Sequence, residues 1–129
     1  MKKESVLFNG YAIRSFSLDK LNDIPVEKKK KLDLKCNFYQ NDSKGNENKY
    51  LVSLNLETYT DHSKITLVLD GFFEFLGNLN DEEKDYFLKI TAPSILYPYA
   101  RSFISIVTGF DMDGTLILPI INFNNAVSE

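Results

Sequence analysis

Three segments in the middle of the chain alternate between apolar and polar residues, and this alternation constrains the fold more than any other feature. A period of two is the pattern of a β-strand with one buried face, whereas a helix repeats every 3.6 residues. Short polar stretches at 41–48 and 60–63 separate the segments. Together they predict an antiparallel meander with one buried face. Its apolar positions are Leu32, Leu34, Cys36 and Phe38, then Tyr50, Val52, Leu54 and Leu56, then Ile65, Leu67, Leu69, Phe73 and Phe75.

A further strand is predicted before the meander, and its apolar residues fall on both faces. A strand of that kind is usually interior to a sheet or lies at a subunit junction. Gly10 within it indicates a bulge or a close backbone approach. We place the four strands at about 6–17, 32–40, 49–60 and 64–76.

The pattern after the last strand is typical of a helix. Asn80 and Glu83 have the spacing of a capping box, which predicts a helix over about 81–91. Pro93 is expected to end this helix or to start a new one, because proline lacks the N–H that a helix interior needs.

A second helix is predicted over about 94–108, with Pro98 in its first turns and Gly109 as its C-cap. Apolar residues cover most of this helix, although packing on one side needs an apolar arc of only about 100°. The surplus apolar flank must therefore meet another subunit, a loop or a ligand. The narrow polar face consists of Ser94, Arg101, Ser105 and Thr108.

Four strands followed by two helices predict an α+β fold, in which both helices pack on one face of a four-stranded antiparallel sheet. The length of 129 residues favours a single domain over residues 1–129. No stretch reaches 18 apolar residues, and no apolar run follows Lys2 and Lys3, so we expect neither membrane insertion nor a signal peptide. A single cysteine suits a reducing compartment, and we expect a cytoplasmic protein.

The charge of the chain gives no sign of a nucleic-acid partner, because its net value is −3 and its isoelectric point is near 5.2. The basic run Lys28–Lys31 is interpreted as part of a solvated loop between the first two strands, with a phosphate or membrane contact as the alternative. This loop also contains Leu21, Ile24 and Val26, which are unusual in a solvated connection. Loops of this length in small domains tend to be functional.

One motif looks catalytic. The stretch 110–117 reads Phe-Asp-Met-Asp-Gly-Thr-Leu-Ile and matches the nucleophile loop of haloacid-dehalogenase-like phosphatases. In those enzymes the first Asp, here Asp111, attacks a phosphoryl group, while the second, here Asp113, acts as acid and base beside Mg²⁺. Their motif follows the first strand of a doubly wound sheet, and the rest of the site comes far downstream. Only 14 residues follow Thr115, so we interpret the motif as a turn.

Other catalytic and metal-binding patterns are missing from the sequence. One His and one Cys allow neither a plausible Ser-His-Asp arrangement nor a Cys/His zinc cluster. No Gly-rich phosphate loop follows a strand. His62 is interpreted as a turn residue and Cys36 as a structural thiol. We therefore expect a binding protein rather than an enzyme, with no catalytic residue, no metal ligand and no cofactor.

A specific signature lies near the C-terminus: Ile95-Leu96-Tyr97-Pro98-Tyr99-Ala100-Arg101, then Gly114-Thr115, Leu118-Pro119 and Asn122-Phe123. It resembles the signature of the protein-export chaperone SecB and its SecB-like relatives. In that family an I-L-[FY]-P-Y-A-R helix is followed by a Gly-bearing turn, then by L-P and N-F. The predicted order of elements also agrees, although identity in residues is confined to about 92–123.

The resemblance implies a homotetramer built as a dimer of dimers and an ATP-independent holdase that binds unfolded or partly folded polypeptides. In the family, apolar grooves for these clients are lined by the crossover between the first two strands, the second helix and neighbouring strands. Arg101 is interpreted as tied to a carboxylate or to carbonyls, with direct client contact as the alternative. The predicted groove residues are Ile24, Val26, Phe72, Tyr97, Phe103 and Ile106. The signature residues interpreted as structural are Tyr97, Pro98, Tyr99, Ala100, Arg101, Leu118, Pro119, Asn122 and Phe123.

The chain departs from SecB itself in charge and at its C-terminus. SecB is strongly acidic, has a further helix and an acidic tail after N-F, and docks the translocase SecA through its acidic sheet surface and tail. Here the net charge is −3, and only residues 124–129 follow Phe123. These departures weaken the inference to SecA docking. A dedicated chaperone or binding module for one partner, such as an antitoxin, is therefore the alternative function.

Overall fold

The computed structural model describes residues 6–29 and 31–124. Four β-strands come first, and one long helix and an extended C-terminal segment follow them. The strands are β1 (Val6–Lys20), β2 (Leu32–Gln40), β3 (Lys49–Tyr59) and β4 (Ser63–Phe75). The helix, α1, joins three stretches without a break: Asp81–Tyr86, a π-helical turn at Phe87–Thr91, and Ala92–Thr108. The crossover between β1 and β2 includes a short 3-10 turn at Val26–Lys28.

The strands form one antiparallel sheet in the order β1-β4-β3-β2. The predicted meander is thus present, and β1 and β2 are the two edge strands. Leu34 lies opposite Leu56 and Leu56 opposite Leu67, so the apolar positions of all three meander strands share one face. The predicted α+β fold is confirmed, because α1 packs on that apolar face.

β1 is longer than predicted, ends at Lys20 rather than at residue 17, and pairs with β4. Its edge position means that apolar residues on both of its faces are not explained by a place inside this sheet. Gly10 has a φ of +106°, and the pairing register shifts between Phe8 and Tyr11. Of the two predicted roles for this glycine, the bulge is the one present.

The two helices predicted from the sequence are one helix, so the break expected at Pro93 is wrong. The π-helical turn Phe87–Thr91 ends with a hydrogen bond that reaches back five residues, from the Ala92 N–H to the Phe87 carbonyl. This wider turn brings Pro93 into the first turn of the α-helical stretch that follows, where a missing N–H is tolerated. Pro98 consequently lies inside α1 rather than in its first turns.

α1 begins at the predicted capping box and ends at the predicted C-cap, Gly109. Asn80 Oδ1 accepts a hydrogen bond from the Glu83 N–H at 2.7 Å, and Glu83 Oε1 accepts one from the Asn80 N–H at 2.9 Å. Asp81 and Glu82 add negative charge at the positive end of the helix. Among the described residues, no helix is long and apolar enough to cross a membrane.

The helix lies close to the sheet over Gly71 of β4. A Cβ atom at this position would stand 2.5 Å from Leu96 Cδ2, well inside contact distance, so a larger residue would force the Leu96 side chain to move. Beside this contact, the rings of Phe73 and Phe87 meet edge to face with centroids 5.3 Å apart. The helix therefore covers β4 and β3 fully, and the two edge strands only in part.

Candidate functional site

A C-terminal segment, residues 115–124, runs back along α1 in the antiparallel direction. Arg101 Nε donates a hydrogen bond to the Leu118 carbonyl at 2.9 Å. Closer to the helix start, Tyr97 Oη donates to the Pro119 carbonyl at 2.6 Å. Two long polar side chains of the helix thus hold the backbone of the Leu-Pro pair, and the spacing of the signature follows from this contact.

The same segment is fixed at both of its ends. Near the end of α1, the buried hydroxyl of Thr108 accepts a hydrogen bond from the Leu116 N–H at 2.8 Å. At the other end, the Phe123 ring packs edge to face on Tyr97 with centroids 5.8 Å apart. Burial raises the pKa of the Tyr97 hydroxyl, although the nearby Arg101 charge acts in the opposite direction. Two residues of the narrow polar face, Arg101 and Thr108, therefore bind this backbone.

A groove remains between edge strand β2, the middle of α1 and the C-terminal segment, and we call it the β2 groove. Its volume is about 530 Å³, within the usual range for ligand-binding clefts. Its lining is mostly apolar, yet Phe38 at one end keeps 38% of its surface exposed. The groove is lined by Leu32, Asp33, Leu34, Cys36 and Phe38 of β2, Leu88, Lys89 and Pro93 of α1, and Ile121 and Phe123 of the segment.

Cys36 lies in the wall of the β2 groove. Burial raises the pKa of its thiol to about 11, because the low-dielectric surroundings disfavour the thiolate. The side chain is only partly buried, and it packs against the core on one side while facing the groove on the other. Cys36 is therefore a poorly hydrated thiol in the wall of the groove.

The opposite side of α1 carries a second apolar surface, which we call the β1 face. Tyr99 of the helix stacks on Tyr11 of β1 with ring centroids 4.3 Å apart. Phe8 stacks on the buried Phe73 at 5.1 Å, and Ile13 continues the same surface along the strand. All four side chains of the β1 face, Phe8, Tyr11, Ile13 and Tyr99, keep at least 36% of their surface exposed.

The loop after α1, which contains the phosphatase-like motif, is fastened to the end of the sheet. Lys20 Nζ lies 2.7 Å from Asp111, while Asp113 accepts a hydrogen bond from Thr60 Oγ1 at 2.9 Å. Asp113 Oδ1 also lies 2.7 Å from His62 Nδ1 in the β3–β4 turn. The Gly114 N–H donates to the Asp111 carbonyl, as in a turn.

These contacts explain the motif without phosphoryl chemistry. The hydrogen bond from Lys20 lowers the pKa of Asp111, and the hydrogen bond from His62 lowers the pKa of Asp113. Among the described residues, no group of three His, Cys, Asp or Glu side chains could hold a metal ion. The measurement that would overturn this interpretation is Mg²⁺-dependent phosphatase turnover that is lost in Asp111→Asn.

The family comparison agrees with the signature. Residues 2–127 match the family model described as "Preprotein translocase subunit SecB". The chain belongs to the SecB family. Among curated protein sequences, none matches this chain significantly.

Two solved structures have a fold similar to that of this chain. One is the Mycobacterium tuberculosis Rv1957 SecB-like chaperone in complex with a ChAD peptide from the Rv1956 HigA1 antitoxin. It has a TM-score of 0.67 and 14% identity, and the alignment covers 92% of this chain and 88% of that one. The other is a protein of unknown function from Streptococcus agalactiae, with a TM-score of 0.63 and 14% identity, covering 89% of this chain and 97% of that one.

The six groove residues predicted from the sequence do not share one surface of this SecB-family chain. Ile24 and Tyr97 are buried, and Phe103 packs edge to face on Phe16 at 5.0 Å. Val26 and Ile106 are strongly exposed, and Ile106 lines a shallow hollow beside the C-terminal segment. Phe72 lies on the sheet face away from α1, since its neighbours in β4, Gly71 and Phe73, face the helix. These six therefore remain a prediction without a common cavity in one chain.

Sequence reasoning missed the lining of the β2 groove and the aromatic residues of the β1 face. The alternation of β2 was visible, but it was interpreted as core because every strand of a meander is expected to be covered. The signal that was available is strand order: β2, the first strand of the meander, has a meander partner on one side only, so it lies at an edge of the sheet unless β1 pairs with it. Three further residues are more than 80% exposed despite being apolar: Phe110, Met112 and Ile120.

Proposed function

We propose that this SecB-family chain is an ATP-independent holdase that binds unfolded or partly folded polypeptides in the β2 groove. The observation that carries the proposal is an apolar groove left open along an edge strand, beside a core that is already complete. An unfolded chain exposes apolar side chains, and burying them in the groove slows aggregation and folding by mass action. The relative from Mycobacterium tuberculosis, bound to an antitoxin peptide, supports the same use of the fold.

Suppression of aggregation tests this function. We expect the chain to keep a chemically unfolded model protein in solution without ATP, and Phe38→Ser to weaken that effect about tenfold. Tyr39→Ser is the matched control, because Tyr39 is the next residue on the same strand and points to the opposite sheet face. Equal activity of the two variants would remove the β2 groove from the proposal, and no suppression by the unaltered chain would remove the holdase function.

The proposal includes a homotetramer built as a dimer of dimers, with the β1 face in a subunit interface. Four large apolar side chains on an edge strand and a helix are typical of surfaces that another chain covers. This assignment separates two roles: the β1 face serves assembly, and the β2 groove serves clients. Solution mass, measured with and without an unfolded peptide, tests the assembly.

A second candidate function is that of a dedicated chaperone or binding module for one partner, such as an antitoxin. The bound antitoxin peptide in the Mycobacterium tuberculosis relative favours it. The two functions differ in breadth. A dedicated chaperone is expected to rescue one protein encoded beside it and to fail on a panel of unrelated unfolded proteins, whereas a general holdase suppresses aggregation across the panel.

We rank export through SecA below both, because two of the carboxylates on the sheet face away from α1 are paired with cations. On that face Arg14 Nε pairs with Asp70 Oδ2 at 2.7 Å, and Lys64 Nζ lies 3.7 Å from Glu57. We expect no binding of purified SecA to the chain, and stable co-elution would restore the export function. A cytoplasmic location completes the proposal, since the unpaired thiol of Cys36 suits a reducing compartment.

A further inference from the structure

The free edge of β2 carries backbone hydrogen-bonding groups that another strand can use. β2 pairs with β3 on one side, and no strand lies on its other side among the described residues. An edge strand directs the N–H and C=O groups of every second residue away from its neighbour. Apart from the bonds of the sheet itself, no backbone group of Leu32–Gln40 has a backbone hydrogen-bond partner in the described part of the chain. The donors and acceptors on this edge are therefore available.

The hydrogen bonds of the β2–β3 hairpin show which residues of β2 face the free edge. Asn41, directly after β2, donates its N–H to the Lys49 carbonyl of β3 at 2.9 Å. Gln40, the residue before it, therefore directs its own groups away from β3, because the direction alternates along a strand. The pairing of β2 with β3 has no register shift, so the same alternation holds along the whole strand. The residues that face the free edge are Leu32, Leu34, Cys36, Phe38 and Gln40.

The residues that face the free edge also line the β2 groove. Of the five, only Gln40 lies outside the groove lining. In an antiparallel pair, residues that exchange both of their hydrogen bonds lie directly opposite each other and direct their side chains to the same face of the sheet. A client residue that bonds Leu34 or Cys36 in this way therefore places its side chain in the groove. The client residues on either side of it direct their side chains to the opposite face.

β1, the other edge strand, is much less suited to an added strand. Its pairing with β4 shifts register at two places, the first of them beside Gly10. Irregularities of this kind are among the features by which proteins protect an edge from further pairing. β2 has no register shift and no proline, and its charged residues are Asp33 and Lys35 alone. Of the two edges, β2 is therefore the regular one.

We propose that a client segment joins the sheet as a fifth, antiparallel strand along β2, and that its alternate side chains fill the β2 groove. This inference rests on the proposed client-binding function, and it adds how the backbone of a client is held. The segment that fits is extended, about nine residues long to match Leu32–Gln40, and apolar at every second position. Proline at a groove-facing position is excluded, because it has no N–H for β2. Backbone hydrogen bonds give affinity that depends little on the client's sequence, which suits a holdase.

Backbone N-methylation of a client peptide tests the hydrogen bonds to β2. The parent peptide has about nine residues, with valine and serine at alternate positions. One variant carries N-methyl groups on two central valines, and its matched control carries them on two central serines, whose N–H groups are directed away from β2. We expect the valine variant to bind about tenfold more weakly than the parent, and the control to bind within about twofold of the parent.

The outcomes separate this inference from the function on which it rests. Equal affinities of all three peptides would overturn the added strand and leave client binding in the groove intact. Weaker binding of the control than of the valine variant would overturn the antiparallel direction, because in a parallel strand the residues that bond β2 direct their side chains to the other face. A fall in solution mass on binding would mean that a second copy of the chain occupies the edge, and would overturn the proposal. Absence of binding by the parent would contradict the client-binding function itself.

Hydrogen exchange resolved by residue gives a second test, and it uses the unaltered chain. We expect the bound parent peptide to slow exchange at the N–H groups of Leu34, Cys36 and Phe38 by about tenfold or more, because a bonded N–H exchanges only when the bond opens. The N–H groups of Lys35 and Asn37 are the internal control, since they face β3 with or without a client. Unchanged exchange at the first three groups, with peptide bound, would show that the client lies in the groove without joining the sheet.

Discussion

The β1 face and the β2 groove lie on opposite sides of the same helix, and both leave apolar side chains open to solvent. On the β1 face the aromatic rings already stack on one another, as Tyr11 and Tyr99 do at 4.3 Å, so the surface is continuous. In the β2 groove the side chains surround an empty volume instead. A continuous aromatic surface suits a fixed partner of matching shape, whereas an open groove admits many different side chains. Under the proposed function, this difference would separate assembly on the β1 face from client binding in the β2 groove.

The largest expected effect concerns the β1 face. Tyr11→Asp should abolish assembly, because it places an unpaired charge in an interface that we propose to be buried. Solution mass measured by light scattering gives the readout. Leu7→Asp is the matched control: Leu7 and Tyr11 are equally exposed at 44%, but Leu7 lies opposite Glu74 on the other face of the sheet. Loss of assembly in both variants would show that the strand edge, and not the β1 face, makes the interface.

The next effect concerns the chemistry inside the β2 groove. With its pKa raised to about 11, Cys36 should react with a thiol reagent at pH 8 about 100-fold more slowly than an exposed cysteine. The rate should continue to rise with pH up to about 11, since the thiolate is the reactive form. A bound unfolded peptide should slow the reaction further. A plateau near pH 9, or no protection by peptide, would mean that the groove is wet or that clients bind elsewhere.

A smaller effect is expected where the helix meets the sheet between the two surfaces. Gly71→Ala should lower the free energy of unfolding by about 1–3 kcal/mol, because the added methyl overlaps the Leu96 side chain. Urea denaturation measures this change. In a Leu96→Ala background the same substitution should cost less, since space has been made for the methyl. Costs that add in the double variant would contradict a direct contact between the two side chains.

The smallest effect concerns the loop that fastens α1 to the sheet. The hydrogen bonds from His62 and Thr60 lower the pKa of Asp113, so its carboxylate contributes stability above the ordinary Asp range near pH 4. That contribution should be lost as the pH falls through the lowered value. Asp113→Asn should therefore reduce stability at pH 7 slightly and flatten the acid limb of the unfolding curve. An acid limb unchanged in Asp113→Asn would remove this group from the pH dependence.

Most of the fold could be predicted from the sequence, because strand alternation and helix capping involve residues that are close along the chain. Alternation in β2, β3 and β4 fixed the register in which Leu34, Leu56 and Leu67 share a face. The capping box at Asn80 fixed where α1 begins. The break expected at Pro93 is absent because the rule for proline assumes an α-helical turn, whereas the π-helical turn at Phe87–Thr91 changes which N–H groups the helix needs.

The residues of the candidate site could be predicted from the sequence much less well than the fold. Groove residues such as Phe72 and Ile106 were chosen because they seemed surplus to a core, but exposure depends on what else covers a surface. Tyr97 is an instance: it was counted both as a groove residue and as a signature residue, and its hydroxyl bonds the Pro119 carbonyl. Such a contact joins residues that are distant along the chain, and the periodicity of the sequence does not reveal it.

By itself, the sequence determined the strands, the face of the sheet that is apolar, the two ends of the helix and the family signature. The strands, their apolar face and the ends of the helix depend on residues within one or two turns or strands of each other. The tertiary structure alone decided that β1 and β2 are left partly uncovered, because that depends on the width of one helix against four strands. It also decided that the Asp111–Asp113 loop binds the end of the sheet, because Lys20 and His62 come close to its two carboxylates only in the folded chain.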